Sequence, residues 1–196
     1  MSEDARLVEE ALRLNARYVE EVVVGWGLCP WAAQAWRDGA VARQVLVDAQ
    51  PDPAAVLTFL DAIAGQATTS IGLCIFPRVA LDVAAWGTFA ERVRRADRAR
   101  RAPGNTPPFL LAAFHPLVGA GAAAGSDPNA LVALVRRTPD PMLQLVRASL
   151  LESLPRGVSD EIARANFAAV RARTQAALDT VVRDIRRDRD ETYARL

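Results

Sequence analysis

Residues 136–154 read RRTPDPMLQLVRASLLESL, and the conformation of this stretch decides the fold. Thr138 followed by Pro139 has the form of a helix start, with a hydroxyl residue at the cap and proline at the first helical position. Read as a helix, the stretch puts Gln144 and Arg147, three residues apart, on one face. It also puts Arg137 just before a terminus with free amide groups and a positive dipole. With this stretch helical, the chain offers three strands to a sheet.

Those strands are VARQVLVDA (41–49), TSIGLCIFP (69–77) and FLLAAFHP (109–116). The first is short and β-branched, and the second is apolar throughout, as a central buried strand should be. Between them PDPAAVLTFLDAIAG reads as a helix capped by Asp52, opened by Pro53 and closed by Gly65. LDVAAWGTFAERVRRADRARR reads as a second helix, broken by PGNTPP. Its arginine run (92–101) reads as a solvated face. Ahead of the sheet, residues 4–24 place Leu7, Ala11, Leu14, Tyr18 and Val22 on one helical face, ending before GWGLCPW. Asp127 and Pro128 start a short helix. A long C-terminal helix spans about residues 160–188, with Ile162, Asn166, Ala169, Arg173, Ala177, Val181 and Ile185 recurring on one face.

Strands separated by helices of this length form parallel crossovers. The expected architecture is one α/β domain over residues 1–196. It has a small, mostly parallel three-stranded sheet surrounded by helices, with a long C-terminal helix. A ferredoxin-like α+β arrangement is the alternative, and it needs a fourth strand.

Composition narrows the chemistry. All 24 basic residues are Arg, so lysine Schiff-base and lysine nucleophile mechanisms are excluded. A net charge of +1 makes no demand for nucleic acid or an anionic membrane. The two cysteines, Cys29 and Cys74, form no CxxC and no disulfide framework. The N-terminus MSEDARLVEEALRL lacks a signal peptide's basic and apolar regions, and no apolar run approaches a membrane span. The expectation is a soluble, reducing, cytoplasmic protein with no membrane or nucleic-acid partner. No dinucleotide fingerprint, ATP loop or serine-nucleophile motif is present.

If the strands are parallel, VDAQPDP, CIFPRV and AFHPLVG end at one edge of the sheet, where α/β folds bind ligands. His115, the sole histidine, stands there. It reads as a general acid/base, as the single axial ligand that a haem requires, or as a histidine satisfied by backbone. One histidine argues against a conventional zinc site. Cys29, between glycines and a proline, reads as a thiolate nucleophile, redox residue or soft ligand, or as a buried turn cysteine. Cys74 reads as core. GAGAAAG (119–125) is too far from a phosphate-loop consensus to carry one, and reads as a loop or lid. Arg137, Thr138, Gln144 and Arg147 form the candidate site for a carboxylate or phosphate.

Three motifs in order, GLCPWA, FHP and RTPDPMLQLVR, resemble a bacterial family classed as a domain of unknown function, the one numbered fourteen-fifteen. The resemblance runs from about Val19 to Leu154 and rests on Leu28, Cys29 and Pro30; on Phe114, His115 and Pro116; and on Arg137, Pro139, Pro141, Leu145 and Arg147. Two positions depart from the pattern: Gln144 stands where the family is expected to carry histidine, and Arg136 where asparagine is typical. Glutamine can hydrogen-bond a ligand but cannot titrate. The resemblance implies a shared site of Cys29, His115, Arg137 and Arg147, and supplies no reaction.

The leading expectation is an enzyme acting on an anionic small molecule, with His115 as acid/base or axial ligand, Cys29 assisting, and Arg137 and Arg147 as an anion clamp. A haem- or metal-dependent oxidoreductase centred on His115 is the second reading. A ligand-binding or redox-sensing module is the third. A protein assembling as a homodimer through its C-terminal helix is the fourth.

Overall fold

The computed structural model describes residues 1–28, 30–102, 104–119, 136–152, 168 and 175–196. In chain order its elements are α1 (Glu3–Arg17), continued by a π-helical segment (Tyr18–Val24), α2 (Pro30–Arg37), β1 (Val41–Val45), α3 (Pro53–Ala64), β2 (Ile71–Ile75), α4 (Val83–Ala99), β3 (Phe109–Phe114), β4 (Met142–Arg147), α5 (Ala148–Glu152) and α6 (Gln175–Tyr193). The chain divides into two compact units. One comprises Met1–Gln34, His115–Asp140 and Pro155–Leu196, and the other comprises Ala35–Phe114 and Pro141–Leu154.

The second unit holds the sheet, and the sheet has four strands in the order β1-β2-β4-β3. The stretch expected to be a helix from Thr138 is instead strand β4 followed by the short α5. The three-stranded, mostly parallel expectation is therefore corrected to a four-stranded mixed sheet. β1 and β2 are parallel, while β4 lies antiparallel between β2 and β3 and bonds to both. Two features favour the strand. Prolines 139 and 141 push Thr138 and Asp140 toward extended backbone. A six-residue segment is too short for its periodicity to separate helix from strand, so the neighbouring strands' open hydrogen bonds decide. β2–α4–β3 with β4 inserted is a split β-α-β unit, the part of a ferredoxin-like arrangement that is present; β1 departs from it by pairing parallel to β2.

Both helices expected between the three sequence-derived strands are present. Asp52 caps α3 by accepting from Ala54 N–H at 2.9 Å, Pro53 opens the helix, and Gly65 closes it. Asp82 caps α4 by accepting from Ala85 N–H at 2.8 Å. β2 is buried along its whole length, Cys74 included, and burial pushes the Cys74 thiol pKa up, so it is unreactive core. The core between the sheet and α3 and α4 is built from Val56, Leu60, Ile63, Leu143, Leu145 and an edge-packed trio of Phe76, Trp86 and Phe89. Gly72 lets α3 approach β2, because a Cβ there would lie 2.5 Å from Ile63 Cδ1 and 3.2 Å from Phe59 Cε1.

Arg147, at the end of β4, ties the sheet to the C-terminal end of α3. Its Nε donates to Thr69 O at 2.8 Å, and its Nη2 donates to Ile63 O at 3.1 Å and Gln66 O at 2.7 Å. The guanidinium also lies over the Phe109 ring at 4.8 Å. A cation on the last carbonyls of a helix satisfies orphan acceptors and opposes the negative end of the dipole.

In the first unit, Leu7, Ala11, Leu14, Tyr18 and Val22 are all buried, as one amphipathic face predicts. The last turns widen, with Gly25 N–H reaching Glu20 O at 2.8 Å and Leu28 N–H reaching Val23 O at 2.9 Å, each five residues back. Gly25 is required there, since a Cβ would meet Glu21 O at 2.8 Å. On α6 the buried residues are Leu178 and Ile185, and Ala177, expected on that face, is exposed. The rest of the expected C-terminal helix, with Ile162, Asn166, Ala169 and Arg173, lies outside the described residues, as does the helix expected after Asp127. Asp188 on α6 accepts from Arg13 at 2.9 Å and from Arg17 at 2.5 Å on α1. Among the described residues no helix is long and apolar enough to cross a membrane.

Three stability predictions follow from this packing. Gly72→Val adds bulk where α3 already touches β2, and should lower stability by about 1–3 kcal/mol in urea denaturation. Arg147→Gln should lower it by about 2 kcal/mol, since three carbonyls at the end of α3 lose a charged donor. The hydrogen bond from Arg13, then that from Arg17, holds the Asp188 carboxyl well below the usual carboxylate range despite partial burial. A depressed folded pKa stabilises above the unfolded value and is lost as pH falls through the folded one. Asp188→Asn should therefore be less stable than the parent at neutral pH, with the gap closing only in strong acid.

Candidate active site around His115

His115 follows the last residue of β3 and is buried. Its N–H donates to Arg136 O at 3.1 Å, and its carbonyl accepts from Val118 N–H at 3.1 Å. Residues 115–118 thus form a turn with Pro116 in the second position, where its fixed φ is already suited. Within the turn, Leu117 N–H donates to His115 Nδ1 at 3.1 Å. The ring nitrogen nearest the backbone is therefore an acceptor, and the neutral imidazole carries its proton on Nε2.

That assignment bears on which roles the ring can take. In that tautomer Nε2–H can donate to an oxygen but cannot accept a proton. Ligation of a metal or haem iron through Nε2 needs the proton moved to Nδ1, which would break the Leu117 hydrogen bond. Among the described residues no three His, Cys, Asp or Glu side chains converge as a metal cluster.

Arg137 holds the turn in place. Its Nε donates to Val118 O at 2.9 Å, its Nη2 to Gly119 O at 2.6 Å, and its Nη1 to Asp179 on α6 at 3.2 Å. Arg136 lies within electrostatic reach of the buried Tyr18 phenol, whose pKa burial raises and the nearby Arg136 charge pulls back. One group of residues escaped sequence reading. Asp140, wholly buried, accepts from Arg189 Nε at 2.7 Å and from the Tyr193 hydroxyl at 2.8 Å. Burial raises the Asp140 pKa, against the pull of Arg189 and Tyr193. The one signal for it was an acid set between two prolines, with Arg189 and Tyr193 four residues apart on the last helix.

The structure separates the residues expected to form one anion site. Thr138 caps no helix; its hydroxyl donates to Asp140 O at 2.6 Å. Gln144 and Arg147 do not share a face. In a strand three residues' spacing puts them on opposite sides, Gln144 on the row with Arg43, Leu73 and Ala112, and Arg147 opposite Phe109 on the helix-covered side. Arg147 is engaged by three carbonyls and so has a part in holding the fold. Cys29 lies outside the described residues, as does the GAGAAAG loop beyond Gly119.

No curated protein and no solved structure matches the chain. A family sequence model described as "Protein of unknown function (DUF1415)" matches residues 10–180, extending beyond the GLCPWA, FHP and RTPDPMLQLVR motifs on both sides. By that match, which takes in His115 and the whole segment from Arg136 to Arg147, this chain belongs to the DUF1415 family.

Proposed function

We propose that the protein is a cytoplasmic enzyme acting on a small carboxylate or phosphate, with His115 as a general acid whose Nε2–H donates to a substrate oxygen. The observation that carries this reading is the Leu117 N–H to Nδ1 hydrogen bond, 3.1 Å long. It fixes the ring's orientation and the tautomer in which Nε2–H is a donor, as a general acid acting on a substrate oxygen requires. Arg137 supports the reading as the anion-facing cation. A guanidinium has five N–H donors, and the turn and Asp179 engage one on each nitrogen, so one hydrogen on each terminal nitrogen can meet a ligand. Cys29, matched by the family motif, is proposed as an assisting thiol. In this reading Arg147 and Thr138 are structural, and Gln144 is a hydrogen-bonding position in place of the expected histidine.

The haem or metal reading makes a separable demand, because it needs His115 to abandon the Leu117 contact. An absorption spectrum and elemental analysis of the freshly purified protein distinguish the two. A Soret band, or stoichiometric metal lost in His115→Ala, would overturn the general-acid proposal. For a colourless protein, carboxylates and phosphate esters are screened by thermal shift, and those that stabilise it are assayed for turnover. His115→Ala should lower kcat by about 10²–10⁴-fold while the ligand-induced thermal shift survives. His115→Gln, which restores an acceptor for Leu117 N–H, should recover stability but not rate. A ligand that binds with no product formed by the parent would make the protein a binding module.

A further inference from the structure

A cavity of about 350 Å³ opens in the sheet-bearing unit, lined by Gln50, Pro51, Leu81, Ala85, Phe89 and Arg92, with Thr88 at its rim. Its walls come from the segment after β1, the segment after β2, and α4. β1 and β2 are parallel, with Val45 opposite Ile75, so their carboxyl ends lie side by side. The cavity thus lies at the carboxyl edge of the parallel pair, and its volume is that of a small-molecule site.

The polar groups here are unlike those elsewhere on α4. Arg94, Arg95 and Arg98 pair with Glu91, and Arg100 and Arg101 pair with Asp97. Arg92 alone of the α4 arginines has no ion pair or hydrogen bond among the described residues, and the Gln50 amide likewise has none. The smaller cavity beside β3, about 140 Å³, offers the contrast: Arg94, Asp97 and Arg98 on its wall are all engaged. The apolar floor of the larger cavity is backed by core, since Phe89 packs on Trp86 at 5.2 Å and on Phe76 at 5.8 Å. Asp52 and Asp82, next in sequence to Pro51 and Leu81, cap α3 and α4 with their carboxylates. Their charge disfavours a dianion nearby and leaves Arg92 suited to a single negative charge.

We propose that this cavity binds a monocarboxylate with an aromatic or aliphatic body, the carboxylate meeting Arg92 and Gln50 and the body lying on Leu81, Ala85 and Phe89. The site is independent of His115 and of the reaction proposed for it.

The test is a titration of the ¹⁵N-labelled full-length protein with phenylacetate, followed by backbone amide shifts. Phenylacetamide and inorganic phosphate serve as controls. Phenylacetate should move the amides of Gln50, Leu81, Thr88 and Arg92, and Arg92→Gln should weaken it about tenfold or more. Phenylacetamide should bind more weakly than phenylacetate, and phosphate should leave these amides in place. Arg92 is exposed on α4 and glutamine is a comparable helix former, so the variant should fold. Thr88→Leu, also at an exposed helical position, fills the rim and should abolish the shifts with Arg92 intact. Absence of shifts at these residues in the parent, equal affinity in Arg92→Gln, or equal shifts with phosphate would each overturn the proposal.

Discussion

The pairing of Met142–Arg147 on both sides holds the sheet-bearing unit together. β2 and β3 run in the same direction but are not neighbours, and only an antiparallel strand between them closes their ladders. Without β4 two sets of backbone groups would stand open, at a cost comparable to lost hydrogen bonds. The same insertion places Leu143 and Leu145 under α3 and α4 and delivers Arg147 to the end of α3. The chain enters β4 through Pro139 and Pro141, which keep the approach extended.

With lysine absent, arginine takes every cationic task, and much of it is structural. Arg147 holds the carbonyls at the end of α3, Arg137 holds the turn after His115, and Arg94 donates to Leu111 O on the edge strand at 3.1 Å. Each uses the planar fork of donors that lysine lacks. A cation engaged by backbone carbonyls gains a hydrogen bond without cancelling its charge. Arg147 is held by three carbonyls, and Arg137 adds an ion pair with Asp179 to its two bonds with the turn.

Much of the fold was legible before any coordinates. Asp52, Pro53 and Gly65 punctuate α3, and the spacing of Leu7, Ala11, Leu14, Tyr18 and Val22 marks the first helix, because caps and periodicity are local properties. The candidate site was legible only in part. The expected strand runs through His115 to Pro116, whereas β3 ends at Phe114 and His115 opens a turn, and the ring's tautomer depends on where Leu117 N–H points. Asp140 gave little sign of its role, since its partners lie 49 and 53 residues away on α6. Gln144 and Arg147 were misread as neighbours because the spacing that unites them on a helix divides them on a strand.

The sequence by itself determined the family, the Asp52 cap of α3, β1 and β2 as a parallel pair with β2 buried, and the presence of one imidazole after β3. Each of these is written in residues close together. The tertiary structure decided that residues 142–147 form a strand, that Arg147 serves α3, and that Asp140 is a buried ion-pair partner. The physical reason is that these outcomes rest on hydrogen-bond partners distant in sequence. A short segment has no conformation of its own, and takes the one that its neighbours' unpaired backbone groups require.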